Sequence, residues 1–118
     1  MSLHGIETED ECRKAIDELL AMVNHAEEAL KIGSITAKRA MEVLKSRLEE
    51  LYKKSNHTNE GHMSAVEVAY FRPAIQEAYV NAPKLSSPRT WPGGLEEIRM
   101  NLRYRRPANK KENKKKSR

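Results

Sequence analysis

Residues 8–54 read TEDECRKAIDELLAMVNHAEEALKIGSITAKRAMEVLKSRLEELYKK, and this stretch decides the fold. Apolar residues return at Cys12, Ile16, Leu19, Leu20, Val23, Ala26 and Leu30. Steps of mostly three and four put them on one side of a helix. Thr8 stands at the N-cap, and Glu11 three residues later completes a capping box. Glu9, Asp10 and Glu11 fill the first turn, where the helix dipole favours negative charge. Glu27 and Lys31 make a favourable i,i+4 pair near the far end. Gly33 is expected to end the helix as a C′ residue in the left-handed conformation.

A second helix begins at once, capped by Ser34 or Thr36. Its apolar series is Ala37, Met41, Leu44, Leu48 and Leu51, alternating in steps of four and three like an a/d seam. Two helices of this length, joined at residues 32–34, form an antiparallel hairpin. A lone hairpin has only one buried interface. It must therefore dock on the next helix, on a second copy of itself, or on both. Met41, Leu44, Leu48 and Leu51 are accordingly expected as a self-association seam, with a homodimer as the simplest product.

Residues 55–62 (SNHTNEGH) are polar and turn-forming, which predicts a loop. Ser64 then caps a third helix, with Glu67 at the capping-box position. The expected buried set is Val66, Tyr70, Pro73, Ala74 and Tyr79, adjoined by Ala69, Ile75 and Ala78. Pro73 lies inside that pattern and predicts a kink, because its ring collides with the carbonyl four residues back. The helix should end near residues 82–83. Pro83, Pro88, Pro92, Gly93 and Gly94 mark residues 83–94 as a connecting loop, with Trp91 packed back on the helices. A short fourth helix, roughly residues 95–105, carries Leu95, Ile98 and Leu102 on one side and is closed by Pro107.

The class is therefore all-α: an antiparallel hairpin, a Pro-kinked third helix and a short fourth helix. Residues 1–106 form the helical domain, and 107–118 a disordered basic tail. Residues 107–118 offer nothing apolar larger than Ala108, too little burial to offset the entropy of ordering. Six aromatic residues in the whole chain argue against a large β-sandwich.

Charge divides the chain sharply. Residues 99–118 carry ten Lys or Arg against the single acid Glu112. The other 12 basic and 16 acidic residues leave the first 98 residues four charges negative, so the overall +5 conceals an acidic body with a cationic end. Arg99, Arg103, Tyr104, Arg105, Arg106, Lys110, Lys111, Lys114, Lys115, Lys116 and Arg118 are the candidate nucleic-acid contacts. Each phosphate they neutralise would release condensed counterions, and Tyr104 could stack on an exposed base. The same run also suits a solubilising end, a targeting signal or a contact for an acidic protein.

No catalytic, cofactor or metal signature stands out. His57, Glu60 and His62 are ligand types, but their spacing fits neither common zinc-helix motif, and the segment reads as a solvated loop. Gly93-Gly94 could hold an anion at a helix start, yet Glu96 and Glu97 in that turn would repel it. Cys12, the only cysteine, falls on an apolar stripe and reads as a core residue. No apolar run approaches the length of a membrane span, and a reducing cytoplasmic location is the default. The expected function is a noncatalytic, self-associating interaction module with a protein partner or a second copy. The alternative is an accessory protein that holds nucleic acid through its basic end.

Overall fold

The computed structural model describes residues 5–108. Four α-helices dominate: α1 (Glu9–Ile32), α2 (Ser34–His57), α3 (Arg72–Val80) and α4 (Trp91–Arg105). α1 packs on α2 and α4, and α3 packs on α2 and α4, so the helices surround the core in chain order. Polar contacts fix their directions. Lys45 of α2 reaches Ser86, just beyond α3, at 2.6 Å. Asn81 and Asn101 meet at 2.8 Å, and Arg105 pairs with Glu77. Arg99 of α4 and Arg106, just past its end, reach back to Glu27 and Asp17 of α1. Each pairing runs residue numbers in opposite directions, so the chain is an up-down-up-down bundle with short connections.

The first helix begins as its sequence dictates. Glu11 N–H donates to Thr8 Oγ1 at 3.1 Å, while Thr8 N–H donates to Glu11 Oε1 at 3.1 Å. The Glu7 N–H adds a third bond at 2.9 Å. These backbone donors hold the Glu11 carboxyl below its ordinary pKa. The helix ends differently from expectation. Gly33 has φ 163° and ψ 162°, an extended rather than left-handed residue. Its N–H closes α1 on Ala29 O at 3.1 Å, and its C=O opens α2 by accepting from Ala37 N–H at 3.0 Å. One extended residue thus serves both helices, and no side chain caps α2.

The core draws from every helix. Cys12, Ile16, Leu19, Val23 and Ala26 of α1 meet Met41, Leu44, Leu48 and Leu51 of α2. Phe71, Ala74, Ile75 and Ala78 join them from the third helical segment, and Leu95, Ile98 and Leu102 from α4. The residues expected as a self-association seam are thus inside this chain's own core; Leu44 and Leu48 are fully buried. Their stripe satisfied the a/d pattern because α1, α3 and α4 of the same molecule close over it.

The third segment carries two corrections. A capping box forms as its sequence predicts: Ser64 N–H donates to Glu67 Oε1 at 3.0 Å, and Glu67 N–H to Ser64 Oγ at 3.1 Å. Ser64 Oγ also donates to Ile6 O at 2.8 Å, which ties this start to the chain's beginning. Glu67 turns inward and is fully buried, with the Ser64 N–H as one partner of its carboxylate. The inward face is therefore Glu67, Phe71, Ala74, Ile75 and Ala78, one residue round from the expected set, and Phe71 replaces Tyr70 in the core. Ahead of Pro73, where the sequence predicts a kink, the backbone forms a π-helical turn, Glu67–Phe71, and Pro73 falls in the first turn of α3. Arg72 N–H bonds Glu67 O five residues back, and the widened turn relieves the collision between the proline ring and the preceding turn. Tyr79 stays half-buried, stacked on Tyr52 with ring centroids 4.1 Å apart and planes inclined by 10°.

Two further boundaries shift. α2 runs to His57, beyond the expected loop start, and a single 3-10 turn (Glu60–His62) follows. α4 begins at Trp91, four residues early. Pro92 falls in the first turn, where its missing N–H has no partner to lose. Gly93 and Gly94 are thus inside the helix rather than ahead of it. Gly94 lies against the preceding segment: a Cβ there would stand 2.8 Å from Lys84 Cβ. Trp91 packs back as expected, with its Nε1–H donating to Leu85 O at 2.8 Å.

Candidate interaction surfaces

The basic residues of α4 and its C-cap split into two groups. Arg99 is mostly buried and donates to Glu27, to Asn24 Oδ1 at 3.1 Å and to Glu96 at 2.9 Å. The Glu27 carboxylate raises the Arg99 pKa above its ordinary value. Arg105 makes two bonds to Glu77 Oε2, at 2.6 and 3.1 Å. Arg106 makes two to Asp17, at 2.8 and 3.1 Å. These three candidate nucleic-acid contacts staple α4 to α1 and α3, so their charge is spent within the fold. Arg103 and Tyr104 do face solvent, and the Arg105 guanidinium lies 5.2 Å from the Tyr104 ring centroid. Pro107 is buried and Ala108 O accepts from Arg13 at 3.3 Å, which carries the packed chain past residue 106. Lys110, Lys111, Lys114, Lys115, Lys116 and Arg118, with the expected disordered tail, lie outside the described residues.

The outer side of the α1–α2 hairpin, away from α3 and α4, is a groove. Ala21, Met22 and His25 of α1 face Thr36, Arg39, Ala40 and Val43 of α2. It continues along α2 past Glu42, Ser46, Arg47 and Glu50. The small side chains of Ala21 and Ala40 leave the floor low. Val43 is 53% exposed at the middle of this groove. A second depression lies at the end of the bundle where α2 and α4 begin, lined by Ile35, Leu85, Pro88 and Trp91 with Lys38 and Lys45 on its rim. Ile32 and Ile35 project from the hairpin turn there, 74% and 87% exposed.

The remaining candidates for chemistry are dispersed or enclosed. His57, Glu60 and His62 are all exposed, and Glu60 lies 3.7 Å from Arg72. Among the described residues no group of three His, Cys, Asp or Glu side chains could hold a metal ion. Cys12 is fully buried, and burial pushes its thiol pKa up to about 12. No helix among the described residues is long and apolar enough to cross a membrane.

The chain matches no protein-family model, no curated protein and no solved structure at a significant level.

The sequence reading missed the outer α2 surface. Thr36, Arg39, Val43, Ser46, Glu50 and Lys53 recur in steps of three and four, the same alternation as the inner stripe, half a turn away. Every face of a helix repeats in this way, so the spacing alone carries no signal for a surface with one apolar residue among six.

Proposed function

We propose that this chain is a noncatalytic helical interaction module whose docking face is the outer side of the α1–α2 hairpin. The observation that carries the reading is the groove running from Thr36 to Glu50 with Val43 exposed at its centre. An apolar strip bordered by charge is the surface pattern of a protein contact. It is also distinct from the inner stripe, which the bundle needs for itself. A photo-crosslinking amino acid placed at position 43 in cells tests the reading. A discrete adduct is expected from position 43 and none from the exposed Lys14 used as a control position. No adduct from position 43, or equal adducts from both, would overturn it.

Arg103 and Tyr104 favour a second reading, in which the basic end holds nucleic acid. Both are exposed at the last turn of α4, immediately before the lysine run. Log affinity for mixed DNA or RNA would fall linearly with log salt, by about 0.9 per phosphate contacted on duplex DNA. A version ending at Ala108, which keeps the packed residues, should then bind far more weakly. Equal binding by the two forms, or none at low salt, would dismiss this reading.

A further inference from the structure

The depression at the end of the bundle, where α2 and α4 begin, differs in charge from the body around it. It holds about 510 Å³, and Ile35, Leu85, Pro88 and Trp91 give it an apolar floor. Lys38 and Lys45 line its α2 side. The 3-10 turns Ala82–Ser86 and Pro88–Thr90 across from them add the exposed Lys84 and Arg89. None of these four cations is held in an ion pair among the described residues; Lys45 donates instead to the uncharged Ser86 Oγ at 2.6 Å. Glu42 is the one acid in the lining. Residues 1–98 as a whole are four charges negative, so these four cations run against the charge of the body that carries them.

We infer that this depression docks an extended acidic peptide segment that carries bulky apolar residues between its acids. An apolar floor edged by unneutralised lysines complements such a segment in both respects. Lys38 and Lys45 are seven residues apart on one face of α2, about 10.5 Å along its axis. A peptide in the polyproline II form returns to the same face every third residue and has then advanced about 9 Å. Acids three apart in the ligand therefore meet the two lysines. Glu42 stands between those lysines and repels a third acid, which selects uncharged residues at the middle positions. A flat lipid surface fits less well. Lys45 lies eleven residues beyond Ser34, about 16 Å down the helix, out of reach of a plane resting on the hairpin turn. The depression is separate from the outer face of the hairpin, so the inference adds a second docking site of different chemistry.

Trp91 is the only tryptophan of the chain and lines the depression, so its emission reports on this site. The probe is the end-blocked peptide Ser-Glu-Leu-Leu-Glu-Ser, titrated into the full chain. Saturable binding below about 1 mM is expected, weakening as salt screens the lysines. Replacing both glutamates of the peptide by lysine, or both leucines by serine, should weaken binding at least about tenfold. Lys38→Glu combined with Lys45→Glu should weaken it as much, and the milder Lys38→Ala about threefold. Circular dichroism checks that each variant is folded. Val43→Ser, on the outer face of the hairpin, should leave binding unchanged. No saturable binding overturns the proposal, as does equal binding of the lysine peptide. Binding that persists in the doubly reversed variant belongs to another surface, the basic end of the chain included, and also overturns it. Adsorption to vesicles containing about 30 mol% phosphatidylserine, without peptide binding, assigns the end of the bundle to a lipid surface instead. Crosslinking from position 43 bears only on the outer face, so the two readings fail separately.

Discussion

Leu48→Ala distinguishes a stripe that holds one molecule together from one that joins two. Leu48 is fully buried within its own chain, among the apolar side chains of the bundle. Truncating it removes the transfer energy of the lost methyl groups and leaves a cavity that helices on several sides cannot fully close. For buried leucines the sum is about 2–5 kcal/mol. Taking about 3 kcal/mol, and about 4–8 °C per kcal/mol for a domain near 100 residues, Tm should fall by about 12–24 °C. The exposed Val43→Ala provides the contrast, with an expected change within about 0.5 kcal/mol. Calorimetry should be run over about a hundredfold range of concentration, because the Tm of a dimer depends on concentration while an intramolecular loss does not. The Leu48→Ala deficit should be the same at matched concentration across the whole range. A shift below about 3 °C, or one that vanishes on dilution, would refute the placement of the α2 stripe inside the monomer.

The paired glycines of α4 should respond in opposite directions. Gly94→Ala forces a Cβ to within 2.8 Å of Lys84 Cβ and 3.3 Å of Leu85 Cδ2, and should cost about 1–3 kcal/mol in denaturant unfolding. Gly93→Ala enters open space on the same helix and should gain up to about 1 kcal/mol; equal effects would mean the helix start is misplaced. Ser64→Ala removes the cap of the third segment and its bond to Ile6, while keeping the backbone N–H that holds the Glu67 carboxylate, and should lose about 1–2 kcal/mol. A neutral result by chemical denaturation would remove that junction from the account. Cys12 should resist thiol reagents in the folded protein and react promptly in denaturant. Its folded pKa of about 12 lies above the ordinary 9.0, so the stability it contributes is complete below about pH 9 and is lost as pH rises toward 12. Comparing the chain with Cys12→Ala across that window isolates the contribution, and parallel pH profiles would contradict it.

The parts of the fold legible in the sequence are those set by local chemistry. Thr8 with Glu11 and Ser64 with Glu67 announced their helix starts, because a capping box needs only residues three apart. The inner stripes of α1 and α2 were legible for the same reason. What covers a stripe is a long-range matter, so the α2 series looked the same whether its partner helix came from this chain or another. The arginines illustrate that limit again. Arg99, Arg105 and Arg106 looked like free charge in the sequence because Glu27, Glu77 and Asp17 are far away along it. Arg103 and Tyr104, on the same turns but facing outward, kept the exposure expected of them. The start of α4 was hidden by composition. Pro92 and two glycines read as a loop, although proline suits a first turn and Gly94 answers a close approach from Lys84.

The π turn at Glu67–Phe71 has a consequence for how the chain tolerates changes of length. A π turn carries about one residue more than an α turn, so this segment holds a spare residue that the straight helices lack. Deleting one residue there would let the turn close to ordinary α geometry and leave everything from Arg72 onward in place. The residues before it would also keep their places around the axis, because the lost residue is the extra one that the turn absorbs. Ser64 would then still reach the Ile6 carbonyl that it now holds at 2.8 Å. The turn therefore works as a length buffer between the chain's first residues and its third helix. A single-residue deletion in α1 or α2 would rotate the following residues by about 100° and scramble the buried face, whereas one here would spare the core.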